Sequence, residues 1–162
     1  MEIKKLNSEY IKGLNNLLNS ISKENIWTVN EKKTLKERMK WFENYEKNQG
    51  NSIIFVCIKE NRIIGSSSAT RQKGKRAHVW EIGYQVKKEY RNKGIGSNLI
   101  DKLIKFLHEN KAEQVIAWVA ESNNSSINLL KKFGFKKVGL IKKGVKLNDT
   151  KYEDYLLFQK NI

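Results

Sequence analysis

From Ala77 to Leu107 the chain reads as strand, basic loop and helix, and two glycines stand at the start of the helix. Ala77 to Val86 is apolar and aromatic enough for a strand. Lys87 to Lys93 is a polar loop, and Gly94 opens a helix. Ile95, Leu99, Ile100, Leu103, Ile104 and Leu107 recur at three and four residues, which makes one broad apolar stripe. The first turn of such a helix leaves backbone N–H groups unpaired, and the helix dipole adds partial positive charge there. Gly94 and Gly96 leave the backbone open to close approach. Lys87, Lys88, Arg91 and Lys93 add fixed charge beside it. A phosphate or diphosphate suits this site.

Other glycine motifs fit less well. A P-loop needs Gly-Lys-Ser/Thr after four spacers, and this is absent. A dinucleotide fingerprint needs a third glycine, where Leu99 stands, and needs its glycines directly after the strand. On these residues alone, a plain helix start beside a solvated basic loop is the competing reading.

The other elements follow from periodicity. Glu2 to Leu6 is a short strand. Ser8 is placed to cap a helix running to about Ile21, with Ile11, Leu14, Leu17, Leu18 and Ile21 on one face. Ser22 to Asn30 is a polar loop carrying Ile26 and Trp27. Glu31 to about Lys47 reads as a second helix with Leu35, Met39, Phe42 and Tyr45 on or near one face, ended by Gly50-Asn51. Strands are expected at Ile53–Lys59, Ile63–Arg71 and Ala77–Val86. Further strands are expected at Gln114–Ala120, Phe135–Ile141 and Tyr152–Gln159, with a short helix after Ser122–Ser125 that Gly134 ends. No linker or repeat interrupts residues 1–162, so one domain is expected. The order of elements implies a mixed α/β (α+β) sheet with helices on its faces.

Composition narrows the partners. There are 32 Lys+Arg against 17 Asp+Glu, a formal charge of +15, which favours phosphates and acidic ligands. No apolar run reaches membrane-spanning length and no signal peptide is evident, so the cytoplasm is the expected location. The single cysteine, Cys57, lies in an apolar run and reads as a buried thiol. No metal is expected.

Two further segments join the glycine loop. Val86 followed by Lys-Lys-Glu-Tyr-Arg-Asn-Lys-Gly-Ile-Gly resembles the coenzyme A signature of the GNAT superfamily of N-acetyltransferases, where a Gln/Arg-x-x-Gly-x-Gly/Ala loop holds the pyrophosphate. Residues 123–135 resemble that family's Asn-x-x-Ala-Ile-x-Leu-Tyr-x-Lys-x-Gly-Phe, and Tyr152-Glu153-Asp154 resembles the tail of the ribosomal-protein and L-amino-acid acetyltransferase branch. The resemblance covers essentially the whole chain, in outline only for the first 50 residues.

The resemblance implies a mostly antiparallel sheet of about seven strands, splayed between the fourth and fifth. It implies transfer of acetyl from acetyl-CoA to a primary amine by direct attack. The acceptor is a protein N-terminus or lysine, or an amino-acid-like small molecule. Tyr84, Gln85 and Val86 would line the pantetheine arm. Arg91, Asn92, Lys93, Gly94, Ile95, Gly96 and Ser97 would wrap the pyrophosphate. Asn123 and Ser126 would complete the cofactor site, although Asn123 equally suits a helix cap. Glu81 would be the general base and Trp27 and Asp154 would meet the acceptor. The family's motif tyrosine, a general acid in many relatives, is Leu130 here, and Tyr152, Tyr155 or Tyr84 could replace it. His78 reads as a surface residue, and His108 as a structural one at a helix C-terminus, where a cation suits the dipole. A homodimer through a sheet edge or the C-terminal strands is a further expectation. Two alternatives remain, a non-catalytic acyl-CoA sensor and a basic nucleic-acid-binding module. The chain carries none of the zinc, RNA-binding or basic-zipper signatures that would favour the latter.

Overall fold

Ile53 to Ile58 alternates between two buried environments, and this places helices on both sides of the sheet. Ile53 and Phe55 join one core cluster with Ile100, Leu103 and Leu107. Ile54 and Val56 join another with Leu14, Leu17, Leu18 and Phe42. A strand buried on both faces needs a continuous apolar run, and this segment has one. The computed structural model describes residues 1–24 and 32–162. The strands are β1 (Glu2–Lys5), β2 (Ser52–Lys59), β3 (Arg62–Arg71), β4 (Val79–Val86), β5 (Gln114–Ala120), β6 (Lys136–Lys146) and β7 (Tyr152–Asn161). The helices are α1 (Ile11–Ser22), α2 (Leu35–Lys47), α3 (Ile95–Glu109) and α4 (Asn124–Lys132).

The seven strands form one sheet in the order β1-β2-β3-β4-β5-β7-β6. Every neighbouring pair is antiparallel except β4 and β5, which are parallel. Those two strands pair only at Val79↔Gln114, Trp80↔Val115 and Glu81↔Ile116. Beyond Glu81 they part, so the expected splay between the fourth and fifth strands is present. Below the fork, Trp80, Ile82, Val115, Ala117, Leu130 and Phe135 share the α3 core. Burying each large apolar side chain there contributes about 1.5–3 kcal/mol. No helix among the described residues is long and apolar enough to cross a membrane.

Several boundaries differ from the sequence expectation. Ser8 does not cap α1. It begins a 3₁₀ turn, Ser8–Tyr10, and α1 starts at Ile11 with no side-chain cap. Helix α2 starts at Leu35, because Thr34 and Glu37 form a reciprocal capping box. It ends at Lys47, before Gly50-Asn51. Its buried face carries Arg38, Phe42 and Tyr45, while Leu35 and Met39 are exposed. The Arg38 guanidinium stacks on Trp41 at 5.2 Å, and its Nε donates to the buried Asn15 of α1 at 3.3 Å. This polar contact, which no apolar periodicity reveals, occupies part of the buried face of the helix. Strand β4 begins at Val79, since Gly74–Arg76 forms a 3₁₀ turn. Strand β6 runs on to Lys146 through two irregularities in its pairing with β7. Trp27 lies outside the described residues.

Thr34→Ala should lower stability by about 1 kcal/mol. Urea unfolding should show a lower midpoint at unchanged slope, because the box is at an exposed helix end and the core is untouched.

Candidate active site

The cleft opens where β4 and β5 diverge. It has a volume of about 640 Å³ and is walled by residues 82–86 of β4 and 117–120 of β5. Its upper end is made by Arg91, Asn92 and the start of α3, and its far side by Asn123, Ser125, Ser126 and Leu129. The parted edges of two parallel strands present main-chain donors and acceptors toward this space.

The α3 end is built for an anion. Gly94 is the N-cap and adopts φ +77, a left-handed conformation that favours glycine, and a Cβ there would meet nothing within 4 Å. It has no side chain to cap the helix, so the first-turn N–H groups are left for a ligand. Asn92 is also left-handed, at φ 60, which turns the loop around this point. Gly96 permits close packing on α4, because a Cβ would lie 2.9 Å from Leu129 Cδ2. Arg91 spans the mouth. Its Nε donates to the Val86 carbonyl at 3.0 Å, and its Nη2 is 2.8 Å from the Glu24 carboxylate. That pair is an ion pair without an aligned hydrogen bond, since Glu24 Oε2 is buried with no hydrogen-bond partner. The cleft is therefore apolar in its walls, rich in backbone polarity and cationic at one end. A thioester donor with a diphosphate fits that donor set.

The structure brings together at the cleft Tyr84, Gln85, Val86, Arg91, Asn92, Gly94, Ile95, Gly96, Ser97, Asn123 and Ser126. Lys93 is not on the wall. Its ammonium folds back on the Glu89 carbonyl at 3.0 Å and over the Tyr90 ring. Asn123 caps α4, accepting from the Ser126 N–H at 3.1 Å, while also facing the cleft. Leu130 is fully buried in the core.

Of the tyrosines considered as replacements, Tyr84 alone lines the cleft. Its hydroxyl shares a hydrogen bond with Ser126 Oγ and donates to the Ser126 carbonyl at 3.3 Å, bridging β4 to α4. Burial pushes the Tyr84 phenol up to about 12, against a smaller opposing effect of the Ser126 hydrogen bond. Tyr152, the first residue of β7, is 45% exposed under the Lys146 ammonium and is not among the residues that line the cleft. Asp154 is also elsewhere. It accepts from the Lys143 N–H at 2.9 Å and pairs with Lys142 at 3.3 Å, which holds its carboxyl below the usual range. Its position anchors the β6 irregularity rather than facing the cleft.

Glu81 sits on the last paired rung of the fork, opposite Ile116, and is partly buried. Gln72 Nε2 lies 3.5 Å from its carboxylate. Its charge is felt by Tyr155, whose phenol is pushed up by burial and then by the Glu81 carboxylate. Tyr155 stacks on Trp118 at 5.2 Å, and Trp118 lines the cleft. Trp118 escaped sequence reading because it sits in an apolar strand indistinguishable from core. His78 and His108 are exposed, and Cys57 is a buried thiol pushed up by desolvation. Among the described residues no group of three His, Cys, Asp or Glu could hold a metal.

The Tyr84 shift has a consequence at high pH. The unfolded chain loses the phenolic proton near 10 and the folded chain keeps it to about 12, so folded stability should fall as pH rises through that window. In Tyr84→Phe this part of the alkaline loss should vanish, as read by urea unfolding at pH 9 and pH 11.

Comparison with known proteins agrees with this geometry. Residues 15–135 match the model of the acetyltransferase (GNAT) family. The probable N-acetyltransferase YjcK of Bacillus subtilis is 29% identical over 114 residues, which is 70% of this chain and 62% of that protein, so the chain spans less than two thirds of that relative. The ribosomal-protein-alanine N-acetyltransferase of Brucella melitensis superposes with a TM-score of 0.90 at 24% identity, covering 100% of both chains. An acetyltransferase from Salmonella typhimurium, determined with its cofactor acetyl-CoA, superposes with a TM-score of 0.88 at 19% identity over 99% of this chain and 93% of that one. At these identities the two superpositions speak for the fold. The family match over most of the chain, joined to a forked sheet with a glycine-started helix at its mouth, makes this protein a member of the GNAT acetyltransferase family.

Proposed function

We propose that the chain transfers an acetyl group from acetyl-CoA to a primary amine in a ternary complex. The observation that carries this reading is the fork, where three rungs of β4–β5 pairing end at a carboxylate and open into the cleft. Acetyl-CoA supplies an activated thioester and a diphosphate handle. Arg91, Gly94, Ile95, Gly96 and Ser97 would hold the handle. Tyr84, Gln85, Val86 and Asn123 would line the arm.

The residues of the chain itself do the rest. Glu81 accepts the proton of the acceptor ammonium, directly or through water, so that a neutral amine attacks. Gln72 restrains the Glu81 carboxylate and Tyr155 shields it. Tyr84 holds a phenolic proton inside the cleft, where Ser126 orients it, and is the best-placed donor to the leaving thiolate now that Leu130 is committed to the core. A thiol has a reference value near 8.5, so such assistance is useful without being obligatory.

The cofactor loop and the base are tested separately. Gly94→Glu should abolish acetyl-CoA binding, because a side chain at φ +77 and a carboxylate both intrude on the anion site. Calorimetric titration with normal affinity in that variant would remove the loop from the cofactor site. Glu81→Gln should cut turnover by about two orders of magnitude with donor affinity retained. Coenzyme A release, followed with peptide and small-amine acceptors, reads this directly. Unchanged turnover from pH 6 to 9 would dismiss Glu81 as the base.

A further inference from the structure

The foot of the sheet, at the opposite end of β4 from the cleft, gathers cations that have no acid to meet. Strand β4 rises from Val79 to Val86, so its two ends lie about 23 Å apart. The β3–β4 turn, residues 71–78, contains no acid. Gly74 at φ +61 and the bond from Arg71 Nε to the Ala77 carbonyl at 2.6 Å fix that turn, and Lys73, Lys75 and Arg76 are exposed on it. A second group forms where α4 ends and β6 begins. Lys131 and Lys132 close α4, Lys136 opens β6, and the Lys160 ammonium of β7 lies 3.1 Å from where a Cβ on Gly134 would stand. Among the described residues none of these cations pairs with a carboxylate, and the ion pairs of the molecule lie elsewhere.

Backbone bonds join the two groups into one surface. The Glu113 N–H donates to the His78 carbonyl at 3.1 Å, and the Ile162 N–H donates to the Glu113 carbonyl at 3.0 Å. Glu113 therefore stands between the groups, and Glu109 and Glu113 are the acids of the α3–β5 connection there. From the β3–β4 turn to the β7–β6 edge is three strand spacings, about 14 Å. Two cationic groups with carboxylates between them attract two separate rows of anionic charge and repel anions from the middle. The rings nearby are not free to stack on bases, since Phe135 is buried and Phe133 packs against the α3 core. Among the described residues no large exposed apolar side chain falls in residues 71–78, 109–113 or 131–136, so a lipid surface finds nothing there to bury.

We infer that the foot of the sheet docks on the backbone of double-stranded RNA. The inference goes beyond acetyl transfer and does not depend on it. An A-form duplex presents a wide, shallow minor groove with a row of phosphates on either side. The two cationic groups straddle such a groove, and the carboxylates between them keep each phosphate row on its own group. B-form DNA fits less well. Its minor groove is about 6 Å wide, narrower than the separation of the groups, and its major groove is about 8.5 Å deep and calls for an inserted helix or ribbon. The foot offers only a 3₁₀ turn and short connections. A duplex held there leaves the cleft free, because the cleft opens at the other end of β4.

The test is fluorescence anisotropy with a labelled RNA duplex of about 16 base pairs and a DNA duplex of the same sequence, at about 50 and about 200 mM NaCl. RNA should bind at least about fivefold tighter than DNA, and its affinity should fall steeply with salt. The triple variant Lys73→Gln, Lys75→Gln and Arg76→Gln should weaken RNA binding at least about tenfold and reduce the salt slope by about two to three. A control triple, Lys12→Gln, Lys36→Gln and Lys40→Gln, removes the same charge from exposed sites on the helices and should stay within about twofold of the parent. Saturating coenzyme A should leave RNA affinity unchanged. Equal loss in the two triples makes the binding a matter of net charge and overturns the docking site. Equal affinity for RNA and DNA, tighter binding of polyglutamate than of RNA, or no binding at the lower salt overturns it too. Competition by coenzyme A overturns it as well, since the duplex then sits on the Gly94 anion site, and acetyl transfer stands in every one of these cases.

Discussion

Strands β4 and β5 run parallel and hold register over three rungs, then separate. The cleft and the start of α3 are arranged around that short pairing. A buried, unpaired peptide group costs about 1–3 kcal/mol, so strands rarely part inside a protein unless something takes over their hydrogen bonds. Here the parting is held open from below, where Trp80, Ile82, Val115 and Ala117 stay packed on α3, and bridged from the side by Tyr84 and Ser126. The core resists closure, and the exposed edges are left with hydrogen bonds to give.

The two ends of the fork differ in sign. The α3 end offers uncapped N–H groups and Arg91, and the rung at the other end carries Glu81. An anion is thus drawn to the α3 end, while the carboxylate stands on the last paired rung, outside the residues that line the cleft. The net charge of +15 gives no hint of this, since it sums over a surface whose lysines lie largely outside the cleft. Arg91 is an instructive case. It is tied to Val86 and Glu24 before any ligand arrives, so its guanidinium is already oriented.

Most of the secondary structure was legible because it rests on local rules. The stripe of α3, the apolar run of β5 and the Gly134 helix end, at φ +81, needed only spacing and glycine chemistry. Failures came where a polar contact outranked periodicity. The buried face of α2 includes Arg38 meeting Asn15, and the helix starts at a Thr34–Glu37 box. In the candidate site, the loop around Gly94 could be read from sequence, because backbone demands leave residue-type signatures. The status of Tyr152, Asp154 and Lys93 could not, because each depends on which way a strand or loop carries its side chain.

Sequence alone determined that a strand, a basic loop and a glycine-started helix occur together, and that a second Asn-capped helix follows in the spacing of the GNAT pattern. It also set Leu130 where that pattern has tyrosine. Tertiary structure decided that Leu130 belongs to the core, that Tyr84 reaches across to Ser126, and that Trp118 and Tyr155 stack on each other near Glu81. The division has a physical cause. Helix starts, caps and glycine turns are governed by contacts within a few residues. The pairing of β5 with β7 and the end of its pairing with β4 join positions dozens of residues apart, and only the packed sheet brings those side chains to one face.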